Sequence, residues 1–222
     1  MDEKAAWKLG ERDRQGFMVR ERGNYMVLSE ESHATILEKF KFEGRILDLG
    51  CGTAPFLRNI SNSQDVYGLD LSLLSLTKEA RDYLKPVNGD VEFLPFKGKS
   101  FDIVFTSFTF HHVLPIVEET VREIKRVLKP VGKVYVVEEN LDSIFLKRQV
   151  KKPHPPFMER PVSIVELRQW FESAGFKASF HVEAHPFYVK RGIFLHGVRK
   201  TLTNVIAHLF PYVIVGEAVL EK

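Results

Sequence analysis

The stretch Arg45-Ile46-Leu47-Asp48-Leu49-Gly50-Cys51-Gly52-Thr53-Ala54 decides the fold, because it joins a short apolar run that carries an acid to a glycine-rich turn. Gly50 and Gly52 allow the backbone to turn tightly and to come close to a ligand. A helix that begins after such a turn points its unpaired N–H groups into the same crevice. The stretch therefore predicts the first strand–turn–helix unit of an open α/β sheet that receives a nucleotide-like cofactor.

From residue 44 onward the chain alternates between predicted strands and helices. The predicted strands cover residues 46–49, 66–69, a short segment that ends near Asp90, 101–105 and 134–137. Ser72 is suited to cap the helix after the second strand. The helix before the fifth strand carries an apolar face formed by Val117, Val121, Ile124 and Leu128. Alternating units of this kind predict a parallel sheet with right-handed crossovers.

The last third of the chain has its own helix and strand signals. Ser163 and Glu166 form a capping-box pattern at the start of a helix, and Gly175 is placed to end that helix. The remaining segments predict a strand over 176–182, a helix over 198–209 and a final strand over 212–220.

The length of 222 residues is that of one ordinary domain with a small cap, and the 44% hydrophobic fraction supports a sizeable core. Residues 1–43 are charged and are predicted to form an N-terminal helical cap. One helix face within them is formed by His33, Ile36, Leu37 and Phe40. Residues 44–222 are predicted to form the main domain, a Rossmann-like open α/β sheet flanked by helices.

Composition also indicates the cellular compartment and limits the kinds of partner that the protein would bind. The single cysteine, Cys51, excludes an intrachain disulfide and fits a reducing setting. Residues 1–7 lack the apolar core of a signal peptide, and no run approaches the ~18 apolar residues of a membrane span. We therefore expect a cytoplasmic protein with no transmembrane segment. The net charge of +3 permits an anionic partner but does not require one.

Three acids follow successive predicted strands: Asp48, Asp70 and Asp90. Because the carboxyl ends of neighbouring parallel strands share one crevice, we expect these acids to lie together there. An acid after the second strand can accept both ribose hydroxyls, and one after the third can accept an adenine amine, so the set indicates adenosine. A nicotinamide-dependent oxidoreductase is disfavoured, because Pro55 stands where a dinucleotide loop needs its third glycine.

With these motifs the chain resembles the class I S-adenosylmethionine-dependent methyltransferases, and most closely the small-molecule group that includes ubiquinone and menaquinone methyltransferases. The matching segments are 46–53, 68–72, 89–96, 100–104 and 126–133. The resemblance implies S-adenosylmethionine as cofactor and S-adenosylhomocysteine as product. It also implies a sheet of seven mostly parallel strands, whose last strand runs antiparallel between strands five and six.

The resemblance further implies which residues bind the cofactor: Asp48, Gly50, Cys51, Gly52, Asp70, Leu71, Asp90, Val91, Thr106 and Ser107. The glycine turn would pack against the methionine part and the ribose, and Asp70 would bind the ribose hydroxyls. Asp90 would bind the adenine amine, with the N–H of Val91 on a ring nitrogen. Ala54 stands where members of the family usually carry a third glycine.

The segment 108–112 follows the fourth strand, where the acceptor would meet the methyl group. Methyl transfer from a sulfonium is an in-line displacement, in which the protein mainly aligns nucleophile, methyl group and sulfur. An oxygen or nitrogen nucleophile also needs a base, and His111 and His112 are the candidates because imidazole titrates near neutrality. The alternative is that the two histidines only line the wall of the pocket.

We predict a small-molecule acceptor of apolar or anionic character. The basic segments 147–152 and 190–200 are interpreted as solvated surface, because the overall charge is mild, although they would suit an anionic substrate or RNA. An RNA methyltransferase and a catalytically silent, methyltransferase-like binding subunit are the alternative functions. No metal site is predicted, because His181 and His185 fall on a strand and the loop after it, where their spacing does not converge.

Overall fold

The computed structural model describes residues 26–28, 30–52, 54, 56–57, 60, 65–73, 75–76, 83–142, 161–183, 187–189 and 213–221. Several predicted features lie outside these residues. They are Pro55, His185, the first 25 residues, most of the helix predicted after Ser72, the helix predicted over 198–209, and the basic segments 147–152 and 190–200.

The described strands are β1 (Met26–Leu28), β2 (Arg45–Leu49), β3 (Asp65–Asp70), β4 (Lys85–Asn88), β5 (Phe101–Ser107), β6 (Leu128–Glu139), β7 (Phe176–Glu183), β8 (Phe187–Val189) and β9 (Val213–Leu220). Seven of them form one sheet in the order β4-β3-β2-β5-β6-β9-β7. β9 is antiparallel to β6 and β7, and the other neighbouring pairs are parallel. The structure therefore confirms the predicted Rossmann-like sheet, with its antiparallel last strand between the fifth and sixth.

A separate two-stranded sheet pairs β1 with β8 in antiparallel register. The predicted helical character of residues 1–43 is therefore wrong at Met26–Leu28, which form a strand. The reason is that the strand partner lies far along the chain, and periodicity within a segment cannot reveal a distant partner. Helix α1 (Glu30–Leu37) follows, with Ile36 and Leu37 of the predicted face buried against the main sheet, whereas Phe40 of that face lies beyond the end of the helix.

Two further helices pack on the sheet, α2 (Val117–Val127) and α3 (Ile164–Ser173). The predicted apolar face of α2 is confirmed, because Val121 and Ile124 are buried, and Phe171 in α3 is buried as well. The capping box is also confirmed: Oγ of Ser163 accepts the N–H of Glu166 at 3.1 Å. Leu128 departs from prediction, because it adopts an extended backbone and begins β6 rather than ending α2.

Alternate residues of the central strands pack on opposite faces of the sheet, as the two-residue repeat of a strand requires. Leu47 and Leu49 of β2 belong to the core that also contains α2 and α3, whereas Ile46 belongs to the core that contains α1. None of the helices in the described ranges has the length and apolar character needed to cross a membrane. The parallel strands β2, β3, β4, β5 and β6 end at one common edge, and the candidate site lies there.

Candidate active site

The glycine turn after β2 is fastened to the end of β3. The N–H groups of Gly50 and Cys51 both donate to the carbonyl of Leu69, at 2.8 and 3.0 Å. Gly50 has a φ of +69°, and a Cβ there would lie 2.6 Å from the side chain of Thr109. Position 50 therefore requires glycine, both for the backbone conformation and for the close approach of the loop after β5.

The open side of the turn is at Gly52. Its φ is +52°, and a Cβ added there would meet no atom within 4 Å. The thiol of Cys51, in contrast, is a core group: it is buried, and its Sγ lies 2.8 Å from where a Cβ on Gly68 would stand. Burial, and next the nearby Asp48, raise the pKa of this thiol. A ligand can therefore approach the backbone at Gly52, while the side chain of Cys51 packs toward β3.

Asp70, the last residue of β3, closes the turn with both carboxylate oxygens. Its Oδ2 accepts the N–H of Gly52 at 2.8 Å, and its Oδ1 accepts the N–H of Ser72 at 2.8 Å. A carboxylate oxygen can accept more than one hydrogen bond, so these two contacts are compatible with a further role of Asp70 in ligand binding. Asn88, which the sequence analysis missed, donates to the carbonyls of Asp70 and Leu71 at 3.0 Å each.

Two buried polar atoms near the turn lack a partner. Within the part of the chain that the structure describes, Oδ1 of Asp48 and Oγ1 of Thr106 are buried without a hydrogen bond. Burial, and second the charge of Asp70, raise the pKa of Asp48 well above its usual range. Buried polar groups are normally satisfied. Asp48 shares its sheet face with Ile46 and Phe105, whereas Thr106 shares its face with Leu49 and Val104, so each atom is a separate candidate for a hydrogen bond to a bound ligand.

Asp90 lies in the turn after β4 and is held close to Asp70. The N–H of Gly89 donates to the carbonyl of Asp70 at 3.1 Å, and Oδ1 of Asp90 accepts the N–H of Glu92 at 3.1 Å. Val91 is buried beside it. The structure thus places Asp48, Asp70 and Asp90 at one edge of the sheet, as the spacing of the acids predicts.

The loop after β5 contains a residue with a strained, left-handed backbone. Phe108 has a φ of +52°, and Oγ1 of Thr109 donates to the carbonyls of Leu49 and Ser107 at 3.0 and 3.1 Å. Ala54 in the glycine turn has a φ of +53°. This left-handed conformation explains why glycine suits that position better than alanine. Strained residues of this kind concentrate at functional sites.

A pair of a half-buried histidine and a buried carboxylate follows this loop. His111 lies in the short 3-10 turn Phe110–His112, and its Nδ1 is 2.7 Å from Oε1 of Glu138, near the end of β6. Glu138 has no exposed surface, and it also accepts the N–H groups of Phe110 and Glu139 at 2.7 and 2.9 Å. Burial alone would raise the pKa of Glu138, but the charge and hydrogen bond of His111 outweigh it and lower the pKa.

The sequence analysis named His111 and His112 but missed Glu138. A sequence signal for Glu138 was present, because an acid near the carboxyl end of a buried strand is a candidate site residue. Glu138 has this position in β6, as Asp70 has in β3. The rings of His111 and His112 lie 3.8 Å apart, centre to centre. Over the described ranges, no group of three or more His, Cys, Asp or Glu side chains could hold a metal ion. His181 lies on β7, where its Nε2 is 2.5 Å from Glu183.

An open α/β sheet with a glycine turn and acids after successive strands defines a protein that binds a nucleotide-like cofactor. Residues 47–136 match a family model described as a methyltransferase domain. An uncharacterized protein of Methanocaldococcus jannaschii is 31% identical over 82% of this chain and 76% of its own length. A demethylmenaquinone methyltransferase of Staphylococcus haemolyticus is 30% identical over 61% of this chain and 62% of its own length.

The fold has a counterpart among solved structures. A SAM-dependent methyltransferase of Thermotoga maritima superposes with a TM-score of 0.67 at 18% identity, covering 96% of this chain and 97% of that one. The chain belongs to the class I S-adenosylmethionine-dependent methyltransferase family. Its cofactor is S-adenosylmethionine, and the residues present fit that group. The fit rests on the open turn at Gly52, the carboxylate of Asp70 and the unpartnered atoms of Asp48 and Thr106.

Proposed function

We propose that this protein transfers a methyl group from S-adenosylmethionine to a small-molecule acceptor by in-line displacement. One observation carries the proposal: the glycine turn with Asp70 and the pair of His111 and Glu138 lie at the same edge of the sheet. That edge can hold a cofactor and remove a proton from an acceptor beside it. In-line transfer depends mainly on such alignment.

The proposed cofactor contacts are the residues that the family resemblance indicates, and the positions of their side chains in the structure narrow the role of Cys51. Asp70 accepts the ribose hydroxyls, with Leu71 beside the adenine. Asp90 accepts the adenine amine, and the backbone of Val91 reaches a ring nitrogen. The remaining contacts are assigned to Asp48, Gly50, Cys51, Gly52, Thr106 and Ser107. Among these, Cys51 contributes its backbone only, because its thiol is buried toward Gly68.

Bound S-adenosylmethionine supplies a methyl group on a positively charged sulfur, and its transfer leaves S-adenosylhomocysteine. The chain has to remove the proton of an acceptor whose attacking atom carries one. We assign this task to His111, because its Nδ1 contacts the buried carboxylate of Glu138. His112 then forms the neighbouring wall of the pocket, with its ring against that of His111.

The acceptor class is proposed from the relatives and the pocket together. The Staphylococcus haemolyticus enzyme is named as a methyltransferase of demethylmenaquinone, and we take an acceptor related to a quinone as the starting point for this chain. In this chain Phe108 is half-buried next to the histidine turn, which suits an apolar ring. We therefore propose an aromatic compound with a hydroxyl group. The alternatives of RNA methylation and a silent subunit gain no support from the described residues.

Replacement of His111 tests the proposal. His111→Ala should lower turnover by roughly 10²- to 10⁴-fold, the usual contribution of a positioned base, and leave the affinity for S-adenosylmethionine unchanged. The assay follows labelled methyl transfer to a panel of quinols, naphthols and catechols, with cofactor binding measured by calorimetry. His181→Ala, a change at an exposed histidine on β7, is the control. Equal turnover in His111→Ala and wild type would exclude His111 as the base.

A further inference from the structure

We propose that Glu138 is the positioning residue for His111: it fixes the tautomer of the ring and stabilises its protonated form. This inference deepens the proposed function and rests on it. It concerns a residue on β6 that lies 27 positions from the histidine in the chain, at a contact of 2.7 Å between Nδ1 and Oε1. The acceptor it implies is one whose attacking atom loses a proton, such as a hydroxyl group.

Three donors converge on the Glu138 carboxylate. Oε2 accepts the N–H of Phe110, while Oε1 accepts the N–H of Glu139 and faces Nδ1 of His111. Two of the three are backbone groups, which donate whatever the pH. A protonated carboxyl would place its own hydrogen against one of these donors. The surroundings therefore select the ionised form of Glu138, even though the side chain has no exposed surface.

An ionised carboxylate can only accept, so the hydrogen between the two groups belongs to Nδ1 of His111. The ring then exchanges its second proton through Nε2. In the reaction the acceptor's hydroxyl proton passes to Nε2, its oxygen forms the bond to the methyl carbon, and the carbon–sulfur bond electrons stay on sulfur. His111 becomes an imidazolium, and its charge is balanced by Glu138.

Glu138 is fully buried and the side chain of His111 is only 12% exposed, so little water screens the charges of the pair. Opposite charges interact more strongly where water is excluded, and an unpaired buried charge is costly. The two backbone N–H groups offset part of the cost of keeping Glu138 ionised. The other titratable group of the described residues that acts on this pair is His112, from the same turn. Its ring lies against His111 and disfavours simultaneous protonation of both rings.

Nitrogen NMR of the histidine rings tests the tautomer directly and needs no acceptor. In the wild type His111 should carry its hydrogen on Nδ1. In Glu138→Gln the hydrogen should move to Nε2 or be shared, because the amide nitrogen can donate to Nδ1. The midpoint of His111 protonation should also fall to lower pH in this variant. Glu217→Gln, the same change at an exposed carboxylate on β9 that pairs with Lys133, is the matched control and should leave both properties unchanged.

A double-mutant cycle tests whether Glu138 acts through His111. Glu138→Gln alone should lower kcat about 10- to 100-fold with little change in KM for the cofactor, and it should shift the acid limb of the pH profile to lower pH. In a His111→Ala background the same change should alter kcat less than about twofold. A purely structural role would instead give equal losses in both backgrounds.

Each outcome decides the inference. An Nε2-protonated His111 in the wild type, an unchanged titration in Glu138→Gln, or additive losses in the cycle would overturn it.

If circular dichroism shows that Glu138→Gln does not fold, Glu138→Asp is tested instead. In that variant the carboxylate is kept but retracted, and the Nδ1 tautomer should persist with reduced kcat. If no acceptor is methylated while the wild-type tautomer is Nδ1-protonated, the proposed function fails but the role of Glu138 toward His111 stands.

Discussion

The carboxylate of Asp70 closes the glycine turn through Gly52 and Ser72, and we propose that it also accepts the ribose hydroxyls, so that it has two tasks at this edge of the sheet. The sequence could predict the second task, since an acid after the second strand is a local pattern. The first task could not be predicted, because it depends on where the backbone N–H of Gly52 points. A single side chain thus couples the shape of the turn to binding.

Substitution of Asp70 tests this coupling. Asp70→Asn should weaken binding of S-adenosylmethionine by about 1–3 kcal/mol, because charge-assisted hydrogen bonds become neutral ones. Calorimetric titration measures the affinity. Asp65→Asn, at the exposed start of the same strand, is the control and should bind as the wild type does. Equal affinities in the two variants would rule out the assignment of Asp70.

Asp48 offers a test through pH. Burial and the neighbouring Asp70 raise its pKa in the folded state, so folding disfavours the ionised form. The native state therefore holds a proton that the unfolded chain releases, and Asp48 lowers stability as pH rises from its unfolded pKa toward its folded one. In Asp48→Asn this loss is absent. The free energy of unfolding, measured with urea from pH 4 to 8, should rise in the variant relative to wild type as pH increases. If the free energies of the two proteins change with pH in the same way, Asp48 does not have a raised pKa in the folded state.

Helices and strands of this chain differ in how far sequence could predict them. The strands β2, β3 and β5 are apolar runs beside glycine or acid, and the capping box at Ser163 is a local signal, so all were predictable. The pairing of β1 with β8 and the contact of Glu138 with His111 join distant segments. No periodicity within one segment contains that information. The place of β9 in the sheet came from the family resemblance.

The cap of α3 gives a prediction for a single element. Ser163→Ala should lower the free energy of unfolding by about 1 kcal/mol, because the N–H of Glu166 loses its acceptor at the helix start. Val165→Ala, at a side chain that is 64% exposed in the same turn, is the control and should change stability by less than about 0.5 kcal/mol. Chemical denaturation measures both. A loss in the control as large as that in Ser163→Ala would argue against the capping role.

On the scale of the whole molecule, cofactor binding and the choice of acceptor belong to different parts of the fold. The β2–β5 half of the sheet carries the glycine turn and the three acids, and its pattern was predictable because successive units repeat one plan. The choice of acceptor belongs to the loops and to the parts of the chain that vary between proteins of one fold. For that reason sequence motifs identify the methyl donor more readily than the acceptor.

The central claim is that this edge of the sheet binds S-adenosylmethionine for methyl transfer. Calorimetric titration of the purified protein with S-adenosylmethionine, S-adenosylhomocysteine and NADH tests it most directly. We expect micromolar binding of both sulfur ligands, weakened in Asp70→Asn, and no binding of NADH. A folded protein that binds NADH, or that binds neither sulfur ligand, would contradict the account.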